Sequence, residues 1–200
     1  MNISCIVLAG GKGLRLGRDK ALETINNTSL LQRAISQLSF FNSDIVIVTA
    51  AKQSFPRLTG HSRLRIVTDT YPGKGPMVGI CTGLTASSTI YNLVVACDMP
   101  FLNRDLLQYM TEVVDNFDIV VPRLDNMVEP LHAIYSKNCL APAESLIKQG
   151  IMSVHQLFHL TKVRYVEAEE IDRFDPKHLS FFNINTQADL TKARKLAGET

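Results

Sequence analysis

Glycines at positions 10, 11 and 13, followed at once by Arg15, Arg18 and Lys20, are the residues of this chain best suited to chemistry. Glycine has no Cβ, so a ligand can approach the backbone closely, and successive exposed N–H groups form a concave anion site. These cations in the same loop add fixed positive charge. The chemistry is that of a phosphate cradle. The run is not a P-loop, and it is one residue too long for the dinucleotide fingerprint. What remains is L-A-G-G-x-x-x-R-x-G-x-x-K from Leu8 to Lys20.

Two carboxylates can join the cradle. The most apolar run, Asn92 to Cys97, ends in Asp98-Met99-Pro100. A carboxylate at the carboxyl end of a central strand is the hard oxygen ligand that Mg²⁺ on a triphosphate requires. Asp69 follows the short run Leu64 to Val67 and precedes a loop with Pro72, Gly73 and Gly75. Aspartate is also an ordinary turn residue, and that reading stays open for Asp69. Other reactive types read as structural. Cys5, Cys81, Cys97 and Cys139 are widely spaced and form no C-x-x-C, so neither a metal cage nor a disulfide framework is expected. His132 is expected as a packed strand histidine. His155 and His159 are four apart, but no Glu follows the first and no third ligand is evident.

The elements that must position these residues follow from periodicity. Strands are expected at 3–8, 45–48, 64–67, 92–97, 119–121 and 163–166, where apolar runs are short. A further strand, Val128 to Tyr135, follows a hairpin link over 123–127 and is expected to be antiparallel. Helices are expected over 29–41, from Pro76 to Ala86, over 103–114, over 138–148 with a stop at Gly150, over 153–160, and after Thr186, with Asp189 three residues inside. Lys20 is expected on the opening turns of a first helix. Strands alternating with helices give an α/β fold, a mostly parallel sheet with one antiparallel strand and helices on both faces. Ligands bind such sheets at the carboxyl ends of the strands. No linker or repeat divides the 200 residues, so one domain over 1–200 is expected.

The loop resembles that of nucleotidyltransferases that move a nucleoside monophosphate from an NTP to a phosphate acceptor. With Gly75-Pro76-Met77-Val78-Gly79, Cys97-Asp98-Met99-Pro100-Phe101, Glu129-Pro130-Leu131 and Asn183-Ile184-Asn185-Thr186 in that order, the chain resembles the molybdenum cofactor guanylyltransferases from Ile3 to about Leu196. The resemblance implies a three-layer, Rossmann-like nucleotidyltransferase fold. It implies GTP as substrate, the terminal phosphate of molybdopterin as acceptor, pyrophosphate as leaving group, and Mg²⁺, or alternatively Mn²⁺, as cofactor. Leu8, Ala9, Gly10, Gly11, Gly13, Lys20, Asp69, Gly79 and Asp98 would bind the nucleotide. Asp98 would hold the metal, Arg15 and Lys20 would neutralise the triphosphate, and Glu129 and Asn185 would lie on the acceptor side. Transient contacts with molybdenum-insertion proteins and molybdoenzyme chaperones are further implied partners. The chain departs from the family at Leu16, where Met is common, at Gly13, often Ser, and at Thr49, where some members carry a base-contacting Asn.

Such transfer is mostly positioning and charge neutralisation. An acceptor phosphate is already ionised, so neither a protein nucleophile nor a general base is required. Nothing physical in the sequence separates guanine from cytosine, and a cytidylyltransferase acting on molybdopterin or another small phosphorylated acceptor remains the alternative. A net charge of +2 gives no global reason for a nucleic-acid or membrane partner. No apolar run reaches the ~18 residues of a membrane span, and no leader pattern precedes the first strand, so a cytoplasmic protein is expected.

Overall fold

The computed structural model describes residues 2–10, 19–50, 55–61, 63–69 and 74–199. The chain enters β1 (Ile3–Leu8), which is buried up to its last residue. After a three-residue 3-10 turn, Lys20–Leu22, come a short hairpin, β2 (Thr24–Ile25) and β3 (Thr28–Ser29), and then α1 (Leu30–Leu38). The order continues through β4 (Ile45–Thr49), β5 (Leu64–Thr68), α2 (Pro76–Ala86), β6 (Tyr91–Ala96) and α3 (Arg104–Glu112). Next are β7 (Ile119–Leu124), β8 (Met127–Val128), β9 (His132–Ser136), α4 (Leu140–Lys148), α5 (Val154–Phe158), β10 (Val163–Val166), α6 (Ala168–Ile171) and α7 (Gln187–Leu196).

The main sheet runs β10-β7-β9-β6-β1-β4-β5, with β8 paired to β7. β9 is antiparallel to β6 and β7. The pairs β1–β4, β1–β6, β4–β5 and β10–β7 are parallel. Side chains alternate across the pleat, so each strand feeds two cores. Cys5, Val7, Ile47, Leu93 and Val95 face the layer that contains α1 and α3. Ile6, Val46, Val48 and Val94 face the layer that contains α2, α4 and α5. A smaller apolar cluster of Ile25, Leu30, Ile184, Leu190 and Ala193 fastens the β2–β3 hairpin to α7.

α2 follows the expected limits, with Pro76 in its first turn, where the missing N–H breaks no helical bond. It lies so close to β1 that a Cβ on Gly83 would stand 2.5 Å from Ile6 Cγ2. Three expectations need correction. Lys20 opens the 3-10 turn, capped by Asp19 Oδ1 accepting from Ala21 N at 3.1 Å, and not the first α-helix. The stretch from Val128 to Tyr135 is two strands. Pro130 has no N–H for a ladder, and His132 N turns back to Glu129 O at 3.0 Å. Finally, the hairpin link there is only Asp125-Asn126, with φ of 47° and 65°, as a two-residue turn demands.

Candidate active site at the carboxyl ends of β1 and β6

Ladder bonds bring the strand ends together. Cys97 N donates to Leu8 O at 3.1 Å, and Ala9 N donates to Val48 O at 2.8 Å. β6 thereby delivers Asp98 beside the end of β1. The Lys20 ammonium reaches this point and donates to Asp98 Oδ2 at 3.0 Å and to Asn185 Oδ1 at 2.7 Å. The Lys20 and Asp98 side chains are only 15% and 18% exposed. The chain after Asp98 is held too, because Ile184 N donates to Asp98 O at 3.0 Å. Residues from the first loop, the central strand and the final helix lead thus meet at one point.

A second group forms where β1, β5 and α2 meet. Asp69 leaves β5 with its N–H on Thr49 O at 2.7 Å, and its Oδ1 accepts from the Thr82 hydroxyl at 3.4 Å. A Cβ on Gly79 would lie 3.4 Å from Leu8 Cδ2 and 4.0 Å from Asp69 Oδ2, so these three residues are neighbours. At Gly10 a Cβ would meet the backbone nitrogen of Ala50 at 2.9 Å, which leaves no room for any other residue. A cavity of about 640 Å³ opens beyond Thr82, between α2 and α4, with Val67, Lys74, Glu144, Lys148 and Met152 on its walls. Glu129 sits in the β8–β9 turn, brought to the end of β6 by the Ala96 N to Leu131 O bond of 3.0 Å. Burial raises the pKa of its carboxyl.

The electrostatics separate candidate chemistry from packing. All four cysteines are buried and free. Burial, reinforced by the Asp98 carboxylate, raises the Cys97 thiol far above its ordinary range, so it stays protonated and inert. His132 is fully buried, edge-to-face with Phe181 at 5.0 Å, and neither ring nitrogen has a hydrogen-bond partner among the described residues. Burial pushes its pKa down to about 4, against the pull of Asp175, and keeps the ring neutral. His155 and His159 are exposed, and His155 stacks edge-on against Phe158.

Of the residues singled out in the sequence, Lys20, Asp98 and Asn185 come together, as do Leu8, Gly79 and Asp69, with Ala9 and Gly10 between the strand ends. Gly11, Gly13 and Arg15 lie outside the described residues. Sequence reasoning missed the direct Lys20–Asp98 and Lys20–Asn185 contacts, since no spacing signals a contact over such separations. It also read the Asp189 cap without seeing that Asp189 Oδ2 accepts from Asn185 N at 3.0 Å.

The donor set suits a hard cation. Asp98 Oδ2 and Asn185 Oδ1, a carboxylate and an amide oxygen, converge on one positive charge, the Lys20 ammonium. Among the described residues no group of three or more His, Cys, Asp and Glu is placed to hold a metal ion. A dication there would complete its shell from phosphate oxygens and water, the usual habit of Mg²⁺.

Comparisons with known proteins identify the family and the fold. Residues 5–164 match the family model of the MobA-like NTP transferase domain. A probable molybdenum cofactor guanylyltransferase of Pelotomaculum thermopropionicum is 34% identical over 192 residues, spanning 96% of this chain and 92% of that protein. A molybdenum cofactor guanylyltransferase of Desulfosudis oleivorans is 31% identical, covering 96% and 94%. The crystal structure of molybdopterin-guanine dinucleotide biosynthesis protein A from Archaeoglobus fulgidus superposes with a TM-score of 0.84 at 28% identity, over 98% of this chain and all of that one. With a shared sheet and a match over four-fifths of its length, the chain belongs to the MobA-like NTP transferase family.

Proposed function

We propose that this protein transfers GMP from GTP to the terminal phosphate of molybdopterin, releasing pyrophosphate and forming the guanine dinucleotide cofactor. One nucleotidyltransferase domain over 1–200 carries the reaction. The observation that supports it best is the convergence of Lys20, Asp98 and Asn185 on one point at the mouth of the sheet, in a chain whose near-full-length relatives are named for this reaction. An oxygen of the acceptor phosphate attacks the α-phosphorus, that P–O bond forms, and the bond to the bridging oxygen of the β-phosphate breaks. The electron pair leaves with pyrophosphate.

The protein's part is placement and charge. Leu8, Ala9, Gly10, Gly11 and Gly13 bind the nucleotide, and Gly79 and Asp69 bound it on the α2 side. Lys20 and Arg15 offset the charge of the triphosphate, and Lys20 is already part-buried where that charge is worth more than in water. Mg²⁺ would be held by Asp98 with Asn185 beside it, and when bound it supplies neutralisation of the polyphosphate oxygens. Glu129 and Asn185 face the acceptor. Protein partners that deliver molybdopterin or receive the product belong to the same reading, and no helix among the described residues is long and apolar enough to cross a membrane.

The test is pyrophosphate release with molybdopterin and each of the four NTPs. GTP should exceed CTP in kcat/KM by at least tenfold, or about 1.4 kcal/mol. The reverse preference would move the chain to the cytidylyltransferases. Release that does not depend on the acceptor would refute the transfer itself.

A further inference from the structure

Asn185 is exposed, so packing does not fix its side chain. An exposed amide with free rotamers would spend little time in one geometry. Lys20 holds its amide oxygen at 2.7 Å, and the backbone that carries it is held on both sides. Ile184, just before it, is fully buried in the cluster with Ile25, Leu30 and Leu190, and its N–H is tied to Asp98 O at 3.0 Å. Just after it, one carboxylate oxygen gathers three donors. Asp189 Oδ2 accepts from Asn185 N at 3.0 Å, Thr186 N at 2.8 Å and the Thr186 hydroxyl at 2.9 Å. Asp189 N returns a bond to Thr186 Oγ1 at 3.2 Å. A simple capping box needs only the Thr186 contacts. The additional bond to Asn185 N extends the cap one residue out of the helix, to the residue whose amide oxygen meets Lys20.

We propose that Asp189 is a positioning residue for the transfer reaction: its carboxylate clamps the backbone of Asn185 and so aims the Asn185 amide at the Lys20–Asp98 pair. The bonds from Thr186 and Asn185 lower its pKa, so the carboxylate is charged throughout the working range. The clamp rests on the reading of Asn185 as part of the reaction site.

The experiment compares Asp189→Ala, Asp189→Glu, Asn185→Ala and Thr191→Gly in the full chain. Thr191 is an exposed residue of α7 that touches none of these groups, so its variant weakens the helix alone. Two readouts are used: kcat and KM for GTP well below Tm, and the Asn185 side-chain amide resonance in ¹⁵N-labelled protein, assigned by its loss in Asn185→Ala. Asp189→Ala should shift and broaden that resonance and lower kcat by about ten- to a hundredfold with little change in KM for GTP, the penalty of a displaced group. Asp189→Glu, the usual residue of a capping box, should restore both. Thr191→Gly should lower Tm while leaving kcat and the resonance unchanged. If Asp189→Ala does not fold, Asp189→Asn is used, which keeps the size but removes the charge. An unmoved resonance, or a loss of Tm without loss of kcat, would overturn the clamp. Full activity in Asn185→Ala would instead remove Asn185 from the site, and with it the clamp's purpose, while a moved resonance would still record the clamp's geometry.

Discussion

Lys20 Nζ lies 3.0 Å from Asp98 Oδ2, although the two residues are 78 positions apart in sequence. An ion pair on an open surface contributes little, but both partners here are mostly covered. The pair holds the lysine of the first loop against the end of the central strand. Both charges belong to residues assigned to the reaction rather than to the core, so their removal should be felt in catalysis before stability.

Asp98→Ala should lower kcat by about a hundred- to a thousandfold, the usual loss when one preorganised charge is removed from a transition state. Circular dichroism and Tm should stay close to those of the parent. Steady-state pyrophosphate release measures the first quantity. Turnover near the parent's would take Asp98 out of the reaction.

Lys20→Ala should weaken GTP binding and slow transfer together. The Tm of the free protein should scarcely move, because Asp98 keeps some contact with water and can be hydrated. Titration calorimetry with GTP, beside a melt without ligand, separates the two effects. A drop in Tm with unchanged GTP affinity would make Lys20 a structural residue.

His132 makes stability depend on pH. In the fold its pKa is pushed down to about 4 by burial, whereas in the unfolded chain it sits near the ordinary ~6.5. Between those values the unfolded state binds more protons, so acid favours unfolding. Its contribution to stability is complete above about pH 6.5 and is lost as pH falls towards 4, on the order of 3 kcal/mol over the window. Urea melts at pH 7.5 and 4.5 should show that fall, and His132→Leu should remove most of it. A parent and variant with parallel pH profiles would show that the ring does not titrate in this way.

Gly83→Ala should destabilise, although alanine is the better helix former by about 1 kcal/mol. The new methyl would fall 2.5 Å from Ile6 Cγ2, on a β-branched side chain that cannot turn away. Overpacking of this kind costs about 1–3 kcal/mol. Adding Ile6→Ala removes the opposing methyl, so a double-mutant cycle should show the two changes partly compensating. Simple additivity would mean that α2 shifts as a body to relieve the clash.

The sequence was most legible where local chemistry decides structure. Pro76 marked the start of α2, Thr186 and Asp189 marked α7, and apolar runs marked β1, β4, β5, β6, β7 and β10. It was least legible where one or two residues decide. The β2–β3 hairpin has strands of two residues and turns on Asn26-Asn27, both with positive φ, so it offers no periodicity to detect. The break at Pro130 lies inside what otherwise reads as one apolar strand. At the candidate site, Asp98 and Lys20 could be proposed from type and place. Their mutual contact was not, because it is made by the sheet order β9-β6-β1 and not by spacing along the chain. Asn185 was legible only through resemblance, and Asp189 only as a helix cap.

The bond from Lys20 to Asn185 joins positions 165 residues apart, and Arg194 likewise donates to Thr24 O across 170. The order of synthesis therefore matters. A nascent chain carries its lysine loop long before the carboxamide that meets it is translated. Until the segment leading into α7 and α7 itself emerge, Ile25 and Leu30 lack Ile184, Leu190 and Ala193, which pack with them in the finished protein. The Lys20–Asn185 contact therefore cannot form until that segment has been made. Such contacts join distant parts of the chain, which slows their formation, and apolar surface left uncovered meanwhile is prone to association.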